Sequence, residues 1–348
     1  MRVPGVAKAR RIGSIARHRV RPSAAVLMYH RVATPPCDPW DIAVSPENFA
    51  AHLEVLASLP RVISIGELGD SLRRGHVERS VTLTFDDGYL DNLECAEPLL
   101  ARHGLPATVF VTTGGLRTGG DTMWWDVVGK ALLHQQSLPP SLELGRGESA
   151  RTWVMPEPCH EDLARWRAEP YGRREKKRPV PDRGRVYLDV YAHLAECEAR
   201  DRELQIEQLG AWADSVGVET RPGRDERTMT ADEVRTLAGR DGMTIGSHTQ
   251  SHPFLSRVDA GRRREELAGS KRELQEVTGE EVVDFSYPNG DVPTTGAEEV
   301  ARAGFATACT SRGAAAFPGQ SPLAIPRLIV RDWEQERFAR WLWQWGHG

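Results

Sequence analysis

The chain reads as an α/β protein, with a mainly parallel sheet covered by helices and an insertion. Three observations predict that class. Short apolar runs of strand length alternate with longer segments of helical periodicity. The alternation stops across about 121–227 and then resumes. At 348 residues the chain is long enough for one large α/β domain carrying an inserted unit.

The elements follow in order. "AAVLMYH" (24–30) is a short apolar run and reads as a buried strand. "SPENFAAHLEVLASL" (45–59) reads as a helix. Ser45 is its N-cap, Pro46 its first helical residue, and Phe49, Leu53 and Leu56 its apolar stripe. "VTLTF" is the next strand. "LECAEPLLARHG" is a helix closed by Gly104, and "PATVFVTT" (106–113) is a third strand. Strand and helix in alternation argue for parallel pairing.

The stretches "SLPPSLELGRGE" and "RREKKRPVPDRGR" are polar, Pro-rich and charged, and helices are expected near 186–215. The region 121–227 therefore reads as a largely helical insertion. Regular order returns at Thr230, a cap with Glu233 three residues on. "GMTIGSH" is a strand and its exit. "DAGRRREELAGSKRELQEVTG" is a charged surface helix ending at Gly279, and "VVDFSYPNG" is a strand and turn. "TGAEEVARAG" is a short helix with a second capping-box candidate, Thr295 and Glu298. "FATACTS" and "AIPRLIV" close the sheet.

Composition narrows the function. Hydrophobic residues at 40% and charged residues at 27% are ordinary for a globular protein. A net charge of -4 predicts no nucleic-acid partner. Five scattered cysteines without a C-x-x-C pair read as reduced structural thiols. No window approaches a membrane span, and residues 1–30 lack a continuous apolar core of the secretory kind. The expected location is the cytoplasm. Residues 1–23 form a basic arm with Arg2, Lys8, Arg10, Arg11, Arg17, Arg19 and Arg21. A solvated tail is the first reading of it, and weak peripheral contact with an anionic inner membrane surface is the second.

The chemistry concentrates in two stretches. "TFDDG" sets Asp86 and Asp87 side by side at the end of a buried strand, where an unpaired carboxylate is costly. "SHTQSHP" (247–253) sets His248 and His252 four apart; in one helical turn that puts both imidazoles on one side. Two His and one Asp make a facial ligand set for a divalent ion with open positions. Gly88 allows a sharp turn, so both carboxylates can reach one mouth. One can bind the ion while the other accepts a proton from water. The plainer alternative has one Asp capping the next helix and the other solvated.

"TFDDG", "SHTQSHP" and "FSYPNG", in this order, resemble the first three motifs of the polysaccharide deacetylase family, also called the NodB-homology or carbohydrate esterase 4 family. The resemblance covers roughly 24–120 and 228–332. It implies a distorted (β/α) barrel, a divalent metal, most commonly zinc, and hydrolysis of N-acetyl groups on an amino-sugar substrate. By position, Asp86 resembles the catalytic base, and Asp87, His248 and His252 resemble the metal ligands. Tyr287, Pro288, Asn289 and Gly290 resemble the groove motif, where a backbone N–H helps hold an oxyanion. Two departures stand out. Ser286 occupies the place of the motif's usual Arg, and the late Leu-x-His motif is absent. "LMYHRV" at the N-terminus instead resembles the circularly permuted branch, which includes poly-N-acetylglucosamine deacetylases. That implies His30 as the general acid.

Arg327 in "IPRLIV" is flanked by apolar residues, where a charge is expensive unless paired. It is expected to reach Asp86 and replace the missing Arg; the alternative is a side chain leaning out at a sheet edge. Trp124 and Trp125 could stack on a sugar, but anchoring the insertion is the first reading. Residues 333–348 form a Trp-rich C-terminal helix, docked in the first reading and interfacial in the second. The expected function is a metal-dependent N-deacetylase acting on an intracellular glycan precursor or saccharide conjugate. A deformylase or other amidase, and a degenerate sugar-binding module, are the rivals.

Overall fold

The computed structural model describes residues 22–345 except 37, 117, 121, 134–137, 148–149, 157–181, 219, 221–222 and 224–225. Most of the basic arm thus lies outside the described residues. The strands are β1 (Ala24–Tyr29), β2 (Arg31–Val32), β3 (Ala43–Val44), β4 (Ser80–Phe85), β5 (Ala107–Val111), β6 (Ser141–Leu144), β7 (Arg151–Val154), β8 (Met243–Ser247), β9 (Asp284–Ser286), β10 (Thr307–Cys309) and β11 (Leu328–Ile329).

Seven of them form one parallel sheet in the order β10-β9-β8-β5-β4-β1-β11. Every residue of β1, β4 and β5 is buried. A parallel sheet covered on both faces requires this, and it explains the unbroken apolar runs. The sheet curls until its edges nearly meet. Ile325 N–H donates to Ala308 O and Thr310 N–H to Ile325 O, both at 2.8 Å, while Val330 N–H donates to Met28 O at 3.1 Å. The segment around Ile325 therefore ties β10 back toward β1, giving a half-barrel of distorted (β/α) type. Because all seven strands run the same way, their carboxyl ends open at one mouth, where α/β folds place their ligands.

The helices follow their local signals with one exception. Ser45 and Thr230 cap the helices Pro46–Ala57 and Ala231–Ala238, the latter with a complete capping box. The helix Ile65–Arg73, which the sequence reading passes over, has the same box from Ser64 and Glu67. Gly104 (φ 61°) and Gly279 (φ 72°) close their helices in the left-handed region. Asn92–Ala96 is a π-helical turn ahead of the α-helix Glu97–His103. The exception is Thr295, which makes no capping bond to Glu298. Its backbone is near-helical rather than extended (φ -95°, ψ 4°), and its Oγ1 donates to Glu299 at 2.9 Å.

The C-terminal helix Gln335–Gln344 buries Phe338 and Leu342, and Trp345 behind them, while Trp343 is 56% exposed. His52 stacks on Phe338 at 4.0 Å, and its Nε2 donates to Trp333 O at 2.6 Å. Among the described residues no helix is long and apolar enough to cross a membrane.

The chain divides into two compact units. The second comprises Gly120–Thr228 and also Pro35–Ile42, a segment the sequence reading leaves in the main domain. It holds the helices Trp124–Leu133, Asp182–Glu196 and Ala199–Asp214 and the antiparallel hairpin β6–β7. Its own core includes Val128, Leu132, Leu142, Tyr187, Val190 and Leu209. Trp125 is buried, and Trp124 stacks on Tyr191 at 4.7 Å inside this unit.

Candidate active site

Strand β4 ends at Phe85, and Asp86 follows at the mouth of the half-barrel. Thr84 and Asp86 are two apart and face the same side, as strand periodicity requires. Asp87 breaks that periodicity. Its φ is 75°, followed by Gly88 at 76°, so the turn begins at the carboxylate itself and not at the glycine. An added Cβ on Gly88 would lie 3.1 Å from Val111 Cγ1, a tight contact, and the positive φ would strain any larger residue there.

His248 and His252 converge with Asp87. Their Nε2 atoms each lie 3.5 Å from Asp87 Oδ1, and one donor atom from each of the three residues lies within 4.8 Å of the others. All three are buried. The route differs from the single helical turn expected. After β8 the chain passes through a loop in which Thr249 (φ 69°) and His252 (φ 51°) are left-handed. Non-glycine residues rarely adopt this conformation, and it costs roughly 1–3 kcal/mol each unless the surroundings enforce it. Among the described residues five non-glycine positions have positive φ, and Asp87, Thr249, His252 and Asn289 are four of them. Strain is concentrated at this mouth.

The donor set suits a divalent ion. His248 Nδ1 donates to Ser286 O at 2.8 Å, which leaves Nε2 with its lone pair toward Asp87. Burial lowers the His248 pKa, opposed by Asp86, so the imidazole stays neutral as a ligand must be. Two imidazoles and one carboxylate, buried together, are a donor set of the kind that binds zinc.

Asp86 lies beside this set and is bound differently. Arg327, 0% exposed, donates from Nη1 to Asp86 Oδ1 at 2.7 Å and from Nη2 to Asp86 Oδ2 at 2.6 Å. The guanidinium is fixed by three more bonds, to Thr84 Oγ1 (3.1 Å), Ser286 Oγ (2.8 Å) and Thr310 O (3.2 Å). Ser286 thus holds Arg327 with its side chain and His248 with its carbonyl. Burial by itself would raise the Asp86 pKa, but the charge of Arg327 and its two hydrogen bonds outweigh it and hold the carboxyl well below the usual range.

His30 follows β1, next to β4 in the sheet. Its carbonyl accepts from Asn92 Nδ2 at 2.8 Å. The neighbouring Arg31 pairs with buried Asp91 at 3.0 Å and lies over the Tyr89 ring at 4.6 Å, which pins the strand end. Burial lowers the His30 pKa to about 4, opposed by the charge of Asp86 and aided by Arg327, Arg331 and His248. The imidazole therefore shares the electrostatic field of the Asp86 cluster.

The turn Tyr287–Gly290 flanks β9. Tyr287 N–H donates to Cys309 O at 3.0 Å, and Gly290 N–H donates to Tyr287 O at 2.9 Å. Pro288 has no N–H. Asn289 takes a positive φ of 56° at the centre of the turn. Gly290 cannot be replaced, because an added Cβ would fall 1.7 Å from Ser311 Oγ.

The structure thus brings Asp86, Asp87, His248, His252, Ser286 and Arg327 into one cluster. Sequence reasoning noted Ser286 only as a departure from the motif, and it missed Glu266, which accepts from the Gln250 and Ser251 N–H groups behind the ligand loop. Ser286 is the second residue of "FSYPNG", and its place in that motif was the available signal.

Comparisons with known proteins agree with this geometry. The family model described as polysaccharide deacetylase matches residues 73–132 and 209–308, which contain Asp86, Asp87, both histidines and the Tyr287–Gly290 turn. His30 and Arg327 lie outside both segments. The Bacillus subtilis (strain 168) protein YxkH, whose name places it among the polysaccharide deacetylases, is 22% identical over 239 residues, covering 65% of this chain and 76% of the relative. In fold, the chain is similar to the Streptococcus pyogenes deacetylase PplD, solved in complex with acetate. The TM-score is 0.56 at 16% identity, over 92% of this chain and 98% of that one. It is also similar to BC0361, a polysaccharide deacetylase from Bacillus cereus. Here the TM-score is 0.52 at 18% identity, over 91% of this chain and 68% of that one. Over the two matched segments the chain carries, in order, the motifs of the polysaccharide deacetylase family of NodB type, and it shares the fold of the solved deacetylases.

Proposed function

We propose that the protein is a hydrolase that removes N-acetyl groups from an acetylated amino sugar, in a polysaccharide or a glycan precursor. The observation that carries this reading is a buried carboxylate, Asp86, held ionised by Arg327 directly beside a three-residue ligand set. Asp87, His248 and His252 would hold a divalent ion, zinc by the softness of two imidazoles. When bound, such an ion supplies Lewis acidity, polarising the amide carbonyl and acidifying a water molecule.

The chain's own residues do the rest. Asp86 accepts the proton of the attacking water; each of its oxygens keeps a lone pair beyond the one taken by Arg327. A backbone N–H of the Tyr287–Gly290 turn would meet the developing oxyanion. His30 delivers a proton to the leaving nitrogen. Burial keeps its imidazole neutral at rest, so the proton it delivers is the one Asp86 has taken from water, passed on as the C–N bond breaks; acetate leaves and both side chains return to their resting charge. Replacing His30 by Ala should then lower turnover by roughly 10²–10⁴-fold, the usual worth of a positioned acid, with metal content near normal. Normal turnover would leave His30 as a core histidine.

The test of the whole reading is acetate release from a panel of N-acetylated saccharides, with and without a chelator. Release abolished by the chelator and restored by zinc is expected. Release that ignores the chelator would remove the metal from the proposal. Formate release from N-formylated substrates would favour the deformylase rival, and saccharide binding without any release would favour a binding module.

A further inference from the structure

We infer that Glu266 is a positioning residue for the metal-ligand loop, setting the geometry of His248 and His252 from the helix Ala260–Thr278; this rests on the metal site proposed above. The loop 248–252 has no secondary structure to hold it, and two of its five residues are in the left-handed region. Its N–H groups can be followed one by one. His248 N–H donates to Val111 O (2.9 Å), Thr249 N–H to Ser247 Oγ (3.4 Å) and His252 N–H to Thr249 Oγ1 (3.1 Å). The remaining two, on Gln250 and Ser251, point the other way. Both donate to Glu266 Oε2, at 2.8 and 2.9 Å. Ser251 Oγ adds a bond to Glu266 Oε1 at 2.6 Å.

Glu266 is fully buried. Burying a carboxylate is expensive unless its charge is paired and its lone pairs are filled. Arg262, one turn earlier, supplies the charge at 2.7 Å from Oε1, and the other three bonds all come from the loop. The helix reaches the same segment a second time, where Ser270 Oγ lies 2.7 Å from Ser247 Oγ. On the opposite side Thr113 N–H and Gly114 N–H donate to the carbonyls of Thr249 and Gln250, at 3.1 and 2.9 Å. The peptides between the two histidines are thus clamped from both sides, and Glu266 provides the side-chain half of the clamp. Without it, Thr249 and His252 can relax from positive φ, and the imidazoles lose their common aim.

The experiment uses the full chain and reads zinc affinity by competition with a chromophoric chelator. The visible spectrum of the cobalt-substituted protein reports ligand geometry. Glu266→Asp keeps the charge but withdraws the acceptor by one methylene. Glu266→Gln loses the charge but keeps an oxygen for the two N–H groups. We expect Glu266→Asp to weaken zinc by about 10–100-fold, the range found for supporting residues, and to alter the cobalt spectrum. Glu266→Gln should stay within a few-fold of wild type, and Arg262→Ala likewise. The opposite order, with Asp tolerated and Gln not, would show that only the charge matters and overturn the inference. So would wild-type zinc affinity and an unchanged cobalt spectrum in Glu266→Asp. Wild-type protein that binds no zinc would overturn the metal site itself, and this inference with it.

Discussion

Replacing Arg327 by Met should be among the most damaging single changes in the molecule, lowering stability and turnover together. Met fills the volume but leaves Asp86 as a buried carboxylate without its partner. Removing one member of a buried pair costs about 3–5 kcal/mol, most of it the stranded charge. The sign of the pH effect follows from the cause of the shift. Arg327 is the main force holding the Asp86 pKa down against burial. Without it the carboxyl rises, so the acid limb of the pH–rate profile should move to higher pH. The loss of stability should also shrink as pH falls, because a protonated Asp86 no longer needs a counter-ion. A double variant with Asp86→Asn separates the contributions. Its instability should be clearly less than the sum of the two single changes, since neither charge is then stranded. Thermal and denaturant midpoints across pH, with zinc content measured alongside, check both statements. A variant with normal turnover and an unmoved acid limb would remove Arg327 from the site.

The second large effect is expected at His248. Replacing it by Ala deletes one of the three ligands and also frees Ser286 O, which accepts from His248 Nδ1. Supporting residues around metal sites are worth about 10–100-fold in affinity, and a direct ligand should exceed that. Activity should fall to background at zinc concentrations that saturate the wild type. Asp86 keeps its two bonds to Arg327, so the fold around the base should survive. Full activity in a zinc-free His248→Ala protein would end the ligand assignment.

The fold and half of the site were legible in the sequence for reasons that are local. Strand length, apolar runs and capping residues act over a few positions, so β1, β4, β5 and the Thr230 and Ser45 caps could be read directly. The three donors Asp87, His248 and His252 were legible because each sits at a strand exit, where a parallel sheet collects its functional groups. Their backbone was not. The four-residue spacing of the histidines fits a helical turn, but packing instead places Thr249 and His252 at positive φ. Propensity argues against that conformation, and tertiary contacts, among them those from Glu266, Thr113 and Gly114, enforce it. Thr295 failed as a cap for a similar reason: its preceding turn leaves it near-helical, so its hydroxyl turns to Glu299.

Residue types and their order along the chain determined the α/β class, the candidate ligands and the presence of a buried cation in the last strand region. Tertiary structure alone decided what that cation meets. Arg327 and Asp86 are 241 residues apart. They meet because the sheet places β1 between β4 and β11, in a register that pairs Leu27 with both Leu83 and Leu328. A one-residue slip of either ladder would move the guanidinium off the carboxylate. Local preferences carry no record of such a register, because it is set by how whole strands bury their apolar faces together.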